Sequence, residues 1–302
     1  MAVLINGTTG ITGPTWTTSG RPASPVAGQQ GYNSTREAME VYVGTSWRLM
    51  TDVFSPTGGT ITTSGAYTIH TFNSSGTFTP NIAGEVEYLV IAGGGGSARQ
   101  TWESGGGGAG GFLTATGFAV AATGLTVTIG AGGIGNATGG TPYTGTNGSN
   151  SVFSTITAIG GGAGGKYYES GEDGGSGGGG GGHTPAADDV GGSATAGQGY
   201  DGGTSTNTGG RDGGGGGGGA GSIGGANSGI HAGDGGAGLQ SSISGSSVYY
   251  CAGGAGSPGY TSGAYGDDGT GFADAANRGH GGTTNTPVDG SSGVVIIRYL
   301  TR

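Results

Sequence analysis

The chain has 302 residues, 83 of them glycine, with 31% hydrophobic and 9% charged residues and a formal net charge of -9. Glycine at this level, against an ordinary share of about 7%, demands either disorder or a structure that needs the missing side chain. The acidic balance excludes the basic patches used on nucleic acid and anionic membranes, and the low apolar content excludes a conventional hydrophobic core through the glycine-rich part.

Residues 1–54 form the first predicted domain and are different in kind, with Trp16, Trp47 and few paired glycines. Their pattern is a small β-meander: 39–43 alternates, Gly44, Thr45 and Ser46 turn, and 47–50 returns. About fifty residues this poor in apolar groups are marginal alone, and oligomerisation would supply the missing burial. The opening residues 1–7 have neither a basic segment nor a long apolar stretch, so no signal peptide is expected there. Residues 55–91 read as β linker strands at 60–63, 66–72, 76–79 and 85–91.

From residue 92 to 302 glycine runs recur at 93–96, 105–111 (broken by Ala109), 174–182 (broken by Ser176) and 213–219. A flexible linker has no reason to separate such runs with β-branched and aromatic segments. Here they are separated at 125–129, 151–153, 156–159, 248–250 and 294–299. The runs ignore the Gly-X-Y register of collagen and only nine prolines occur. The ordered solution that remains is polyglycine II, with three residues per turn and a rise of about 3.1 Å. It has no internal hydrogen bonds, so its backbone groups must pair laterally with neighbouring helices. The expected fold is therefore mostly β and irregular: a small N-terminal β module followed by a strand-flanked polyglycine-II helical sandwich.

Sites of conventional chemistry are weak. The strand 86–91 running into Gly93 imitates a dinucleotide-binding turn, but glycines follow where a helix is required. His70, His183, His231 and His280 are far apart, and Cys251 is alone. The pairs Asp188–Asp189 and Asp267–Asp268 read as solvated turn residues before glycosidase carboxylates. No enzyme activity, cofactor, metal or nucleic-acid partner is expected. The segments joining the runs are more informative, because Tyr and Trp beside polar loops give large contact area at low entropic cost. The candidate contact residues are Trp102, Tyr143, Tyr167, Tyr168, His183, Tyr260, Tyr265 and Phe272. Nothing in the spacing says which of these loops share an end.

Two resemblances add to this reading. Arg21-Pro22, Pro25, Gly28, Tyr32-Asn33, Glu40-Val41-Tyr42, Gly44 and Trp47 resemble N-terminal modules of bacteriophage tail-fibre and appendage proteins, particularly from viruses of marine bacteria. The resemblance implies virion attachment or trimerisation for this module. Phe72, Gly76-Thr77-Phe78, Tyr88-Leu89-Val90-Ile91 with the following glycines, Gly110-Gly111-Phe112 and Val294-Val295-Ile296-Ile297-Arg298-Tyr299 resemble the glycine-rich domain of phage tail fibres. That family includes tail-tip adhesins of some T4-like phages, built on a polyglycine-II sandwich. What it implies is a virion protein, made in the host cytoplasm, whose end loops contact a bacterial surface protein or glycan and whose partners are other tail proteins and copies of itself in a homotrimer. A purely structural virion fibre, or an ice-binding protein, are the other functions compatible with these residues.

Overall fold

The computed structural model describes residues 4–6, 10–12, 14–50, 53–98, 103–135, 145–182, 189–206, 211–260, 262, 264–271, 276–284 and 289–301. Two compact units divide the chain, Met1–Ser55 with Arg302, and Pro56–Thr301.

In the first unit β1 (Leu4–Asn6) and β2 (Gly10–Thr12) form an antiparallel pair. A second sheet has the order β3 (Thr15–Trp16), β4 (Gln30–Asn33), β5 (Ala38–Val43) and β6 (Ser46–Leu49), with β3 parallel to β4 and the rest antiparallel. The hairpin expected at 39–50 is β5–β6, closed by the pair Tyr42 and Trp47 with rings 5.5 Å apart. Alternation along β5 sends Glu40 to the buried face. There its carboxylate accepts from Trp16 Nε1 (3.2 Å), Arg21 Nε (2.9 Å), Asn33 Nδ2 (2.9 Å) and Arg36 Nη1 (3.3 Å). The hydrogen bond from Arg21 leads in holding this carboxyl down at about 2, against the opposing effect of burial.

The second unit contains a five-stranded antiparallel sheet in the order β11-β10-β17-β8-β7. Its strands are β7 (Thr60–Ser64), β8 (Tyr67–Phe72), β10 (Gly84–Ile91), β11 (Phe112–Val120) and β17 (Val294–Leu300). A four-stranded sheet has the order β14-β13-β12-β9, from β9 (Gly76–Phe78), β12 (Leu125–Thr128), β13 (Ser151–Phe153) and β14 (Ile156–Ala158). β15 (Leu239–Ser241) and β16 (Val248–Tyr250) form a hairpin.

The apolar runs of β10 and β17 are covered on both faces, which is why they occupy the middle of their sheet. Leu89, Ile91, Val294 and Ile296 pack with Ile243, Tyr250, Cys251 and Ala109. On the other face Tyr88 meets Phe118 (5.5 Å) and Phe153 (6.1 Å). Each fully buried aliphatic side chain here contributes roughly 1.5–3 kcal/mol. The strands of 55–91, read from sequence as linkers, are thus part of the same unit as β17. β11 was not foreseen as a strand, because Gly117 interrupts its pattern. The structure accommodates that glycine at φ 69°, beside a register shift between Val86 and Tyr88.

Between the sheets' ends and the loops, the glycine runs pair laterally with a period of three, the hydrogen-bonding pattern of packed polyglycine-II helices. The run 105–111 is the central one. Gly105, Gly108 and Gly111 donate to Gly165, Gly162 and Ile159; Gly106 and Ala109 donate to Gly215 and Gly218; Gly107 and Gly110 donate to Gly282 and Gly279. Its carbonyls accept from Gly95, from Gly179 and Ser176, and from Gly254. Successive residues therefore address successive neighbours around the helix.

The packing has no room for Cβ at these positions. A Cβ on Gly107 would lie 2.2 Å from Gly95 O, and one on Gly217 1.9 Å from Gly107 O. The interruptions of the runs fall where space exists. Ala109 joins the sheet-end core, and the Ser176 side chain fills the space beside Gly199, where a Cβ would come within 2.1 Å of its Oγ. No α-helix occurs among the described residues.

Candidate functional site

The helices are joined by turns and pair both antiparallel, as 105–111 does with 159–165, and parallel, as 106–109 does with 215–218, and the sandwich has two ends of different construction. At one end the runs continue into strands: β10 leads into Ala92 and Gly93, Gly111 leads into β11, and Gly293 leads into β17. Among the described residues the other end carries turns. There Ser257 donates to Ser104 O (2.9 Å), Gly182 to Glu103 O (2.6 Å), Gly181 to Glu169 O (2.9 Å), Gly213 to Gly229 O (2.8 Å) and Gly259 to Ile230 O (2.9 Å). These pairings bring together residues 103–104, 166–170, 182, 211–213, 229–231 and 257–260.

At this free end Glu103 is 2% exposed and takes a left-handed backbone, φ 73°. Its N–H donates to Pro258 O (3.0 Å), which fixes it under the loop that carries Tyr260. Arg211 approaches Glu103 Oε1 with Nε at 3.6 Å and lies 5.7 Å above the centroid of the Tyr260 ring. Tyr167 and Tyr168 form an edge-on pair with centroids 4.3 Å apart, and Tyr168 also has a left-handed backbone, φ 63°. The Tyr167 phenol is held above its ordinary value first by hydrogen bonding to Tyr168, then by desolvation and by the charges of Tyr168 and Glu103, while Arg211 acts the other way. Left-handed non-glycine residues cost on the order of 1–3 kcal/mol each and persist only where the surroundings over-determine them. Tyr168 and Tyr260 remain 53% and 45% exposed, so their rings are displayed beside the buried Glu103 carboxylate and the exposed Arg211 guanidinium. A cleft of about 270 Å³ lined by Asn147, Glu169, Ser170 and Glu172 belongs to this region.

Of the residues singled out by sequence, Tyr167, Tyr168 and Tyr260 converge. Tyr265, 43% exposed, lies one pairing further out, where the preceding Ala264 N–H donates to His231 Nδ1 (3.0 Å). Trp102, Tyr143, His183 and Phe272 lie outside the described residues. Sequence reasoning did not single out Glu103 or Arg211; a charged residue flanking a glycine run was the available signal.

The acidic residues have another use. Asp173, Asp201, Asp268 and Asp289 accept with Oδ1 from Ser193 (2.6 Å), Ala194 (2.7 Å), Ala255 (3.0 Å) and Gly135 N–H (2.7 Å). Asn147 and Asn150 do the same for Ala163 and Gly160. At the border of the array, where no further helix offers a carbonyl, a side-chain oxygen takes its place. The pair Asp267–Asp268 is engaged in this way, with Asp267 N–H on Asp234 Oδ1 (2.8 Å), and burial pushes the Asp268 carboxyl up. Asp189 pairs through its backbone with Ser205; Asp188 lies outside the described residues.

A sandwich of laterally paired glycine helices, anchored on β-sheets at one end and carrying loops at the other, defines a glycine-rich scaffold protein. The chain belongs to the glycine-rich domain family, whose sequence model matches residues 71–300. No curated protein matches it.

Proposed function

We propose that this chain is a bacteriophage tail-fibre or appendage protein that recognises a host cell-surface receptor through the loops at the free end of its glycine-rich sandwich. The observation that carries the reading is that two loops bring aromatic rings to Glu103 and Arg211: Tyr260 lies against the Arg211 guanidinium, and the adjacent Tyr167–Tyr168 pair is near enough for Tyr167 to feel both charges. Tyrosines of this kind supply contact area with few rotatable bonds, and a scaffold already fixed by backbone pairing loses little entropy on binding. In this reading the receptor is a bacterial surface protein or glycan and recognition is non-enzymatic. The module 1–54 joins the chain to other virion proteins and to copies of itself in a homotrimer, whose display adds avidity.

The test is adsorption competition. Purified full-length protein, added to candidate marine bacteria ahead of phage, blocks adsorption, and the triple variant Tyr167→Ala/Tyr168→Ala/Tyr260→Ala needs at least about tenfold more protein, equivalent to 1.4 kcal/mol or more. Equal blocking by a folded triple variant removes the tyrosine cluster from recognition. Failure of the parent protein to bind any susceptible cell leaves the glycine-rich unit as a structural spacer.

A further inference from the structure

The strand that joins the two halves of the large sheet is synthesised after every other named strand of its unit. β17 lies between β8 and β10 and pairs antiparallel with both, from Val294 to Arg298 with β10 and from Val295 to Leu300 with β8. β8 and β10 therefore run parallel to each other. A parallel pair needs a crossover of about a dozen residues or more. Residues 73–83 connect these two strands, and they give β9 to the other sheet. Before β17 arrives, the chain holds two hairpins, β7–β8 and β10–β11, with a strand-wide gap to fill between them.

The side chains of the gap are apolar. Val294 and Ile296 of β17 are buried with Leu89 and Ile91 of β10 and Ile69 of β8. Arg298 ties three segments together: Nε donates to Glu87 Oε2 on β10 (2.8 Å), Nη1 donates to Ser242 O after β15 (3.2 Å), and the guanidinium lies 4.4 Å from the Tyr67 ring centroid on β8. Thr301 N–H donates to Ala66 O at 2.8 Å. The residues just before β17 bind the glycine array in the same way. Gly107 and Gly110 of the central run donate to Gly282 and Gly279, Gly282 donates to Gly95, and Gly94 donates to Ser291. One stretch of chain thus completes both the sheet and the surroundings of the central glycine helix.

We propose that the segments 279–284 and 289–301 are a closing strap: the glycine array has no persistent fold until they are made and docked, and the unit 56–301 then closes in one step. Ordered glycine loses more backbone entropy than any other residue. A polyglycine-II run has no internal hydrogen bonds to offset that loss, so it gains little until its neighbours are in place. The neighbour supplied by the strap is distant in sequence, and its loop-closure cost comes before any contact is made. The turns at the free end belong to the same array, so the strap also sets the loops that carry the tyrosines. The inference goes beyond receptor recognition and does not depend on what those loops bind.

Arrested nascent chains test it. The full sequence, followed by a flexible spacer, is held on the ribosome in two forms. A long spacer places residue 301 outside the exit tunnel, and a short one keeps the residues from 279 onward inside it. Thermolysin, which cuts beside apolar residues, is added to both, with the released full chain as the reference. Residues 56–278 are expected to survive at least about tenfold longer with the strap outside, because proteolysis follows the population of the open form. Equal survival of the two forms overturns the proposal. If both resist, the array folds without the strap; if both are cut, emergence of the strap is not what closes the unit.

Discussion

His280 illustrates how a single side chain serves the glycine array. Its Nδ1 accepts from Ala252 N–H at 3.0 Å, so that nitrogen must stay unprotonated. Burial first, and the nearby Arg278 second, push its pKa down to about 4. His70 is shifted in the same direction by burial, with its Nδ1 at 2.7 Å from Gly58 O. In the unfolded chain a histidine titrates near 6.5. Above that value neither state is protonated and the full stability is present. As pH falls from about 6.5 toward 4 the unfolded chain takes up a proton that the folded one refuses, so stability is lost, on the order of 3 kcal/mol for His280. Thermal melting between pH 7 and 4 should show this slope, and His280→Asn should remove most of it, with His70 accounting for the rest.

At the scale of the element, the polyglycine-II run is intolerant of substitution in a way that a strand or a linker is not. Gly107→Ala would set a Cβ 2.2 Å from Gly95 O and 2.7 Å from Gly282 N, both backbone atoms that other hydrogen bonds hold in place. The expected cost exceeds about 4 kcal/mol, the range reserved for severe overpacking and lost networks. Gly197 supplies the contrast: it has φ 77° and open space around the Cβ position. Gly197→Ala should cost only about 1–2 kcal/mol, for the left-handed backbone alone. Denaturant unfolding of the two variants separates steric exclusion inside the array from the ordinary conformational use of glycine in a turn.

For the whole molecule, two units with separate cores imply separate sensitivities. The first unit is held by Trp16, Trp47 and the buried Glu40 with its arginines. Glu40→Ala leaves Arg21 and Arg36 without their shared anion, a loss of about 3 kcal/mol at neutral pH by the cost of breaking a buried pair. In differential scanning calorimetry it should lower the transition of residues 1–55 and leave that of 56–301 in place. Because the Glu40 carboxyl is depressed to about 2, its contribution is present above its unfolded value near 4.3 and disappears as pH falls toward 2. The acid sensitivities of the two units therefore lie in different windows, the glycine-rich unit weakening first.

The sequence by itself determined that the glycine runs are structural, since β-branched segments between them require a folded body and their register excludes collagen. It also determined the hairpin β5–β6 and the strands β10, β12, β13, β14, β16 and β17, whose apolar patterns are local. Only the tertiary structure decided which turns share an end, because that depends on the direction of each helix and on long-range backbone pairs such as Ser257 with Ser104. It likewise decided that Glu103 and Arg211 lie with the tyrosines, and that acidic side chains border the array as hydrogen-bond acceptors. β11 escaped the sequence because Gly117 breaks its alternation. The physical reason is common to all of these: glycine has no side chain to carry a pattern, so the partners of a glycine helix are set by its neighbours' backbones, which one-dimensional spacing does not encode.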